Sequence, residues 1–208
     1  MSANPPDLAA TLIRLMLSIN DIALAKDANA QWAETADRKR AAIRGSGRRY
    51  FVRVMLSHIH EGLLIVEDIS RSQLLRSSVD ECDQPTISDF RVLENVIKSP
   101  EMELLRKLRS RATFHYDEQL PFKSFQEIAK DQPDRAWSYS EGSEPLDWRF
   151  ELADAVMERM MHRKVFGLGL PGSDDLTAQT EDLAKRLEDI SRKFTRFAFR
   201  YVEHFSRA

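Results

Sequence analysis

The residues of this chain whose types and spacing could do chemistry lie in the segment LLRKLRSRATFHYD, residues 104–117. Its basic side chains precede a histidine that aromatic residues flank: Arg106, Lys107, Arg109 and Arg111, then Phe114, His115 and Tyr116. Histidine is the side chain that titrates near neutral pH, so it can move a proton in a reaction. Two interpretations are open. The arginines pair with acidic neighbours while His115 packs with its polar tip satisfied, or arginine and histidine form a catalytic pair.

The spacing within this segment restricts which arginine can meet the histidine. Arg111 and His115 are four residues apart, so on a continuous helix they share a face. Arg109 precedes His115 by six residues, which places the two about 120° apart on an ideal helix. They converge only if the helix starts, ends or kinks between them, or if a partner chain supplies one of them.

The segment RSRATFHYD resembles the signature of the HEPN superfamily, in which an arginine, a polar residue and a few further positions precede a histidine. Here the pattern is Arg109-Ser110, four more residues and His115, and Ser110 stands where active relatives most often have Asn, Asp or His. The resemblance covers residues 8–117 in general character. It implies a small all-α protein, often a dimer, and for many members a metal-independent ribonuclease of a toxin, abortive-infection or RNA-processing system.

The chemistry that the resemblance implies assigns the catalytic roles to Arg109 and His115. RNA carries its own nucleophile, the 2′-hydroxyl, which needs a base to take its proton and an acid to protonate the leaving oxygen. The guanidinium would stabilise the negative charge of the transition state, and Arg111 would assist at the phosphate. Tyr116 would orient the imidazole, contact substrate or simply close the helix. The resemblance implies no metal and no cofactor.

A second basic run indicates an anionic partner. It contains no acid between residues 38 and 53 and carries Arg38, Lys39, Arg40, Arg44, Arg48, Arg49 and Arg53. If this run faces the same cleft as Arg109, Arg48 and Arg49 would bind RNA phosphates. The alternative is a solvated helix surface that is neutralised by the acids of EGLLIVED or of the C-terminal helix.

The elements that must position these residues are predicted to be helices. Only seven glycines and eight prolines interrupt the chain, and apolar residues recur at helical spacing, as at 8, 12, 15, 16, 19 and 22. We predict an all-α bundle of five to seven helices, with a short extended element near residues 136–142. The expected helices run from Leu8 toward Ala33, from about Arg48 to Leu75, from Thr86 or Ser88, from Ser99 toward Phe114, from about Pro145 to Val165, and from Ser173 or Asp174 to about Phe205.

The length and composition fit one helical domain, residues 1–208. The resemblance implies an HEPN-like core at about 8–117, on which C-terminal helices, 145–206, pack. A hydrophobic content of 42% with 31% charged residues is typical of a soluble globular protein. The single cysteine, Cys82, suits a reducing cytoplasm and has no basic neighbour to activate it. Arg14, Asn20 and Asp21 interrupt the apolar N-terminal run, so we predict a buried helix there and no membrane span.

The resemblance thus implies a cytoplasmic endoribonuclease that acts on RNA as a homodimer, with an antitoxin-like protein as its partner. The alternative is a catalytically inactive helical module that binds a protein or a nucleotide, or a purely structural dimer. His58 and His60 are two residues apart and point in different directions on a helix, so we predict no metal site there. The net charge of −2 excludes a general attraction to nucleic acid, so any affinity must come from local patches.

Overall fold

The computed structural model describes residues 8–34, 44–110, 119–131, 139–140, 149–162, 167 and 174–206. Within these ranges the chain is all-α, as predicted, with eight helices and one pair of two-residue strands. The elements are α1 (Leu8–Glu34), α2 (Arg44–Arg71), α3 (Gln73–Asp80), α4 (Gln84–Ile97), α5 (Pro100–Leu108), α6 (Gln119–Asp131), β1 (Tyr139–Ser140), β2 (Arg149–Phe150), α7 (Glu151–Met160) and α8 (Asp174–Ser206).

The helix count exceeds the predicted five to seven because a helix expected to run from Arg48 to Leu75 is divided at Ser72. Ser72 has an extended backbone, with φ −92° and ψ 117°, and its hydroxyl accepts a hydrogen bond from the Leu75 amide at 3.4 Å. A serine that caps a new helix in this way ends the preceding one. The division separates α2 from α3.

Two glycines, Gly45 and Gly47, lie in the first turn of α2. A Cβ added to Gly47 would overlap the indole of Trp32, whose Cε3 atom would lie 2.6 Å away. Gly47 therefore lets Trp32, near the end of α1, approach α2 closely.

The face that α1 buries differs from the predicted one. Its buried positions are Thr11, Leu15, Ser18, Ile22 and Ala25, whereas Met16 is 39% exposed. Small polar residues at two of these positions allow close packing on α2, and the Ser18 hydroxyl donates to the His58 carbonyl at 3.5 Å.

The opposite face of α1 is apolar and exposed, which the prediction of a buried helix did not anticipate. Ile13, Leu17 and Leu24 are exposed by 56%, 56% and 69%. By length and composition, α1 could cross a membrane, and it is the one helix among the described residues that could. The core helices of soluble proteins can meet the same criteria.

The chain forms two compact units, residues 1–106 with 183–208, and residues 107–182. In the first unit, the C-terminal half of α8 supplies buried aromatic side chains to the core of α1–α5. Phe197 stacks on Tyr201 with ring centroids 5.5 Å apart and lies 5.3 Å from Phe90. Gly62 of α2 faces the ring of Phe194, because a Cβ there would lie 2.7 Å from the ring's Cε1 atom.

The second unit contains α6, α7 and the strand pair. β1 and β2 are antiparallel, with Tyr139 opposite Phe150 and Ser140 opposite Arg149. The extended element predicted near 136–142 is therefore present at Tyr139–Ser140. The prediction of a helix from Pro145 is wrong at its start, because Arg149 and Phe150 pair with β1 and the helix begins at Glu151.

A salt bridge joins the two helices of the second unit. The Arg159 guanidinium on α7 donates to the Asp131 carboxylate at the end of α6 at 2.8 Å, and the Arg159 side chain is 11% exposed. The prediction of a single domain over 1–208 stays a prediction, since compact units within one chain need not be separate domains.

Candidate functional site

Helix α5 leads to the predicted catalytic arginine, and its acidic residues lie in the first turn. There Glu101 and Glu103 complement the positive end of the helix dipole. Hydrogen bonds from Ser99 and from the Glu101 backbone, with a further contribution from Arg186, hold the pKa of Glu101 below its ordinary value. The basic residues follow toward the C-terminal end, where the dipole favours them.

Arg106 forms a salt bridge with an acidic residue of its own helix. Its Nε and Nη2 atoms donate to the two carboxylate oxygens of Glu103, each at 2.7 Å. This bidentate pair raises the pKa of Arg106 and uses the geometry that would otherwise bind a phosphate. Arg106 is therefore poorly suited to bind substrate.

Arg109 lies just past the end of α5, where Arg109 and Ser110 form a π-type turn. Its side chain is half-buried, and its Nε atom is shielded from solvent. The Ser110 hydroxyl donates to the Lys107 carbonyl at 3.4 Å, within its own helical turn. A partly desolvated guanidinium attracts an anion more strongly than one in bulk water.

The other predicted residues of this site lie outside the described part of the chain. These are Arg111, His115 and Tyr116. α5 ends at Leu108, and the π-type turn at Arg109 and Ser110 follows it directly. The convergence of Arg109 and His115 stays a prediction.

The second basic run is in part described and lies on the N-terminal half of α2. Arg44 and Arg48 are exposed, whereas Arg49 and Arg53 are half-buried. Two acids of EGLLIVED that were expected to neutralise the run have other partners: Glu67 pairs with Arg71 at 2.5 Å and Asp68 with Arg14 at 2.9 Å. Arg48 has no carboxylate within salt-bridge distance in the described ranges.

Arg48 and Arg49 belong to the first compact unit, whereas Arg109 belongs to the second. A cleft shared by the three arginines therefore stays a prediction. The guanidinium of Arg49 folds back over the preceding turn, where its Nη1 atom would lie 3.3 Å from a Cβ on Gly45.

The histidines of SHIHEG point to different surroundings. His58 Nδ1 lies 3.4 Å from the Asp21 carboxylate on α1, and the buried His60 has its Nδ1 3.7 Å from Glu61. Asp21, placed by the sequence in the middle of an apolar helix, thus reaches the neighbouring helix. In the described portion of the chain, no group of three or more His, Cys, Asp or Glu side chains is arranged to hold a metal ion.

A buried polar cluster at the end of α3 was missed in the sequence. The hydroxyls of Ser78 and Tyr201 lie 2.5 Å apart, and the Cys82 thiol donates to the Ser78 carbonyl at 3.6 Å. Burial, with the nearby charges of Asp83 and Glu81, raises the pKa of Cys82 to about 11. This thiol is poorly suited to act as a nucleophile, in agreement with the prediction for Cys82.

An ion pair that fastens α8 to α4 was also missed. Asp89 is buried and receives two hydrogen bonds from Arg196, at 2.6 and 3.1 Å. Arg200 lies 3.9 Å from the same carboxylate. The interleaved arginines and aromatics of α8 therefore serve packing, because Phe194 and Phe197 are fully buried while Arg196 pairs with Asp89.

Comparison of the chain with protein families, with curated proteins and with solved structures found no match in any of the three.

Proposed function

We propose that this protein is an HEPN-like, metal-independent endoribonuclease whose catalytic residues are Arg109 and His115. The observation that carries the proposal is the position of Arg109, half-buried at the end of α5 in an all-α chain and six residues before His115. Because α5 ends directly before Arg109, the helix fixes the position of the Arg109 backbone, from which the guanidinium extends. Arg111 would add a second charge at the phosphate.

The proposed reaction is an internal transesterification. One imidazole removes the proton of a 2′-hydroxyl, and the 2′-oxygen forms a bond to the adjacent phosphorus. The bond from phosphorus to the 5′-oxygen breaks as a protonated imidazole gives that oxygen a proton. Arg109 balances the negative charge that collects on the non-bridging oxygens. The products are a 2′,3′-cyclic phosphate and a 5′-hydroxyl.

We propose further that the protein acts as a cytoplasmic homodimer, in which two copies of His115 could serve as base and acid. The exposed apolar face of α1, formed by Ile13, Leu17 and Leu24, supports an association with a second copy. These side chains follow one another at helical spacing on the side opposite the one that packs on α2. Large apolar side chains that are exposed on one face of a helix favour association with a partner surface.

The dimer is tested by sedimentation equilibrium of the purified protein and of Leu17→Glu/Leu24→Glu. We expect the parent to be dimeric and the double variant to be monomeric with unchanged helicity. Leu74→Glu is the control, because Leu74 is 68% exposed on another helix. A monomeric parent, or a double variant that remains dimeric, contradicts the proposal. A monomer that sediments with lipid vesicles would instead assign this face to a membrane.

Cleavage is tested by incubating mixed RNA with the protein in excess chelator. We expect products with 2′,3′-cyclic ends, and a rate that falls by about 10²–10⁴-fold in His115→Ala and in Arg109→Ala. Arg106→Ala is the matched control on the same helix, because Arg106 is already paired with Glu103; its rate should be that of the parent.

Cleavage that persists in His115→Ala would refute the catalytic assignment. A parent that binds RNA or a protein partner and cleaves nothing would establish the alternative, a catalytically inactive helical binding module. A partner acting as an antitoxin would be recognised by its ability to abolish cleavage by the parent.

A further inference from the structure

Tyr50 is an exposed aromatic residue within the basic half of α2. Its side chain is 50% exposed. The Arg53 guanidinium lies over the ring, 5.8 Å from the centroid, and the Phe51 ring meets it edge-on, with centroids 5.1 Å apart and an interplanar angle of 80°. These neighbours fix the ring while leaving half of its surface open to solvent. A ring held in this way is ready to receive a flat ligand.

Arginines spread positive charge over the N-terminal half of α2. On an ideal helix, Arg53 lies about 60° and Arg49 about 100° from Tyr50, whereas Arg48 lies about 160° away. Arg44 adds a further charge at the start of the helix. The first turn of α2 contains no acid, and Glu61 is the first acidic residue along it. The positive end of the helix dipole therefore adds to the positive potential of the arginines.

We propose that this surface, Arg44–Arg53, binds single-stranded nucleic acid, with a base stacked on Tyr50 and neighbouring phosphates held by the arginines. The arginines match the charge of a phosphate backbone. An exposed tyrosine with a guanidinium beside it can stack a base, and stacking requires a base that is free of a duplex. The inference concerns binding and does not require cleavage, so it stands apart from the nuclease proposal.

A lipid surface fits this patch less well. The large apolar side chains exposed along Arg44–Arg53 are Tyr50 and Val52. Interfacial membrane helices insert a broad apolar face below their basic residues, and this stretch presents arginines where such a face would lie.

The test uses the full chain carrying His115→Ala, so that bound RNA is not cut by the proposed catalytic pair. The probe is a fluorescein-labelled oligouridylate of 20 nucleotides, whose anisotropy is measured as protein is added at several salt concentrations. The deoxy equivalent, a blunt RNA duplex and vesicles of anionic lipid are the other arms. We expect saturable binding to the single strands, weaker binding to the duplex and none to vesicles. A preference for the oligouridylate over its deoxy equivalent assigns RNA.

Variants in this background separate stacking from charge. Tyr50→Ala should weaken single-strand binding about tenfold, whereas Tyr50→Phe, which retains the ring, should bind like the parent. Arg49→Gln should reduce the slope of log affinity against log salt by about 0.7, the effect of one phosphate contact on a single strand. The matched controls are Phe199→Ala and Arg192→Gln, at exposed positions of α8, and both should leave affinity and slope unchanged.

Several results would overturn the inference. They are absence of saturable binding to single strands at low salt, equal affinity for duplex and single strand, equal binding by Tyr50→Ala and Tyr50→Phe, and binding to vesicles in place of RNA. Binding that depends on Tyr50 in a protein whose parent cleaves no RNA would uphold this surface and refute only the nuclease.

Discussion

Replacing Gly62 by alanine tests how closely α2 and α8 are packed. The added methyl group would lie 2.7 and 2.8 Å from two atoms of the Phe194 ring, far inside van der Waals contact. Phe194 is fully buried, so the ring has no free space into which it can turn. Alanine in a helix interior is favoured over glycine by about 1 kcal/mol, and overpacking a core costs typically 1–3 kcal/mol. Because the overlap involves three ring atoms, we expect the packing cost to exceed the gain.

The expected result is a net loss of up to about 2 kcal/mol in the free energy of unfolding, measured by urea denaturation followed by circular dichroism. Gly45→Ala is the matched control on the same helix. There the nearest atom is the mobile Arg49 Nη1 at 3.3 Å, so the change should be neutral or stabilising. Phe194→Leu added to Gly62→Ala should recover part of the loss. Equal or greater stability of Gly62→Ala, or the same effect at both glycines, would refute this account of the packing.

Three further predictions concern single groups. At pH 8, alkylation of Cys82 should be roughly a hundredfold slower in the folded protein than in urea, since its pKa is raised from 9.0 to about 11; comparable rates would contradict this. The hydrogen bonds from Thr86 lower the pKa of Asp83, so the stability that this cap supplies is present above the ordinary carboxyl pKa and is lost as the pH falls through the lowered value. Asp83→Ala should lower the melting temperature at pH 7 and Asp83→Asn, which retains a cap, should lower it less; identical losses would count against the cap. Arg196→Gln should destabilise the protein more than Asp89→Asn/Arg196→Gln, because the single change leaves a buried carboxylate without its bidentate partner; the reverse order in thermal melts would show that the pair is dispensable.

The all-α architecture was predictable because glycine and proline are few and apolar residues recur at helical spacing. The same periodicity could not locate the face of α1 that packs on α2. Apolar residues occur on all sides of α1. The packed face is the one that carries Thr11 and Ser18, whose small size allows α1 and α2 to approach each other closely. Nor could spacing reveal the break at Ser72, because the helical pattern continues across it and only the cap of α3 ends α2.

The candidate sites were predictable to different degrees. The basic run of α2 could be found from its charge, but the exposed ring of Tyr50 depends on which face of the helix is left open. The pair Asp89–Arg196 joins residues 107 positions apart, and nothing local in the sequence indicates that they meet. Arg109 lies just past the end of α5, and its pairing with His115, which is outside the described ranges, stays a prediction.

The contribution of α8 to the first core has a consequence for synthesis. Leu15 and Leu63 are made well before Phe194, Phe197 and Tyr201, which complete their core. The helices of residues 8–106 must therefore wait, with part of their apolar surface uncovered, until residues 183–206 have left the ribosome. During that interval they are open to chaperones and to misassembly.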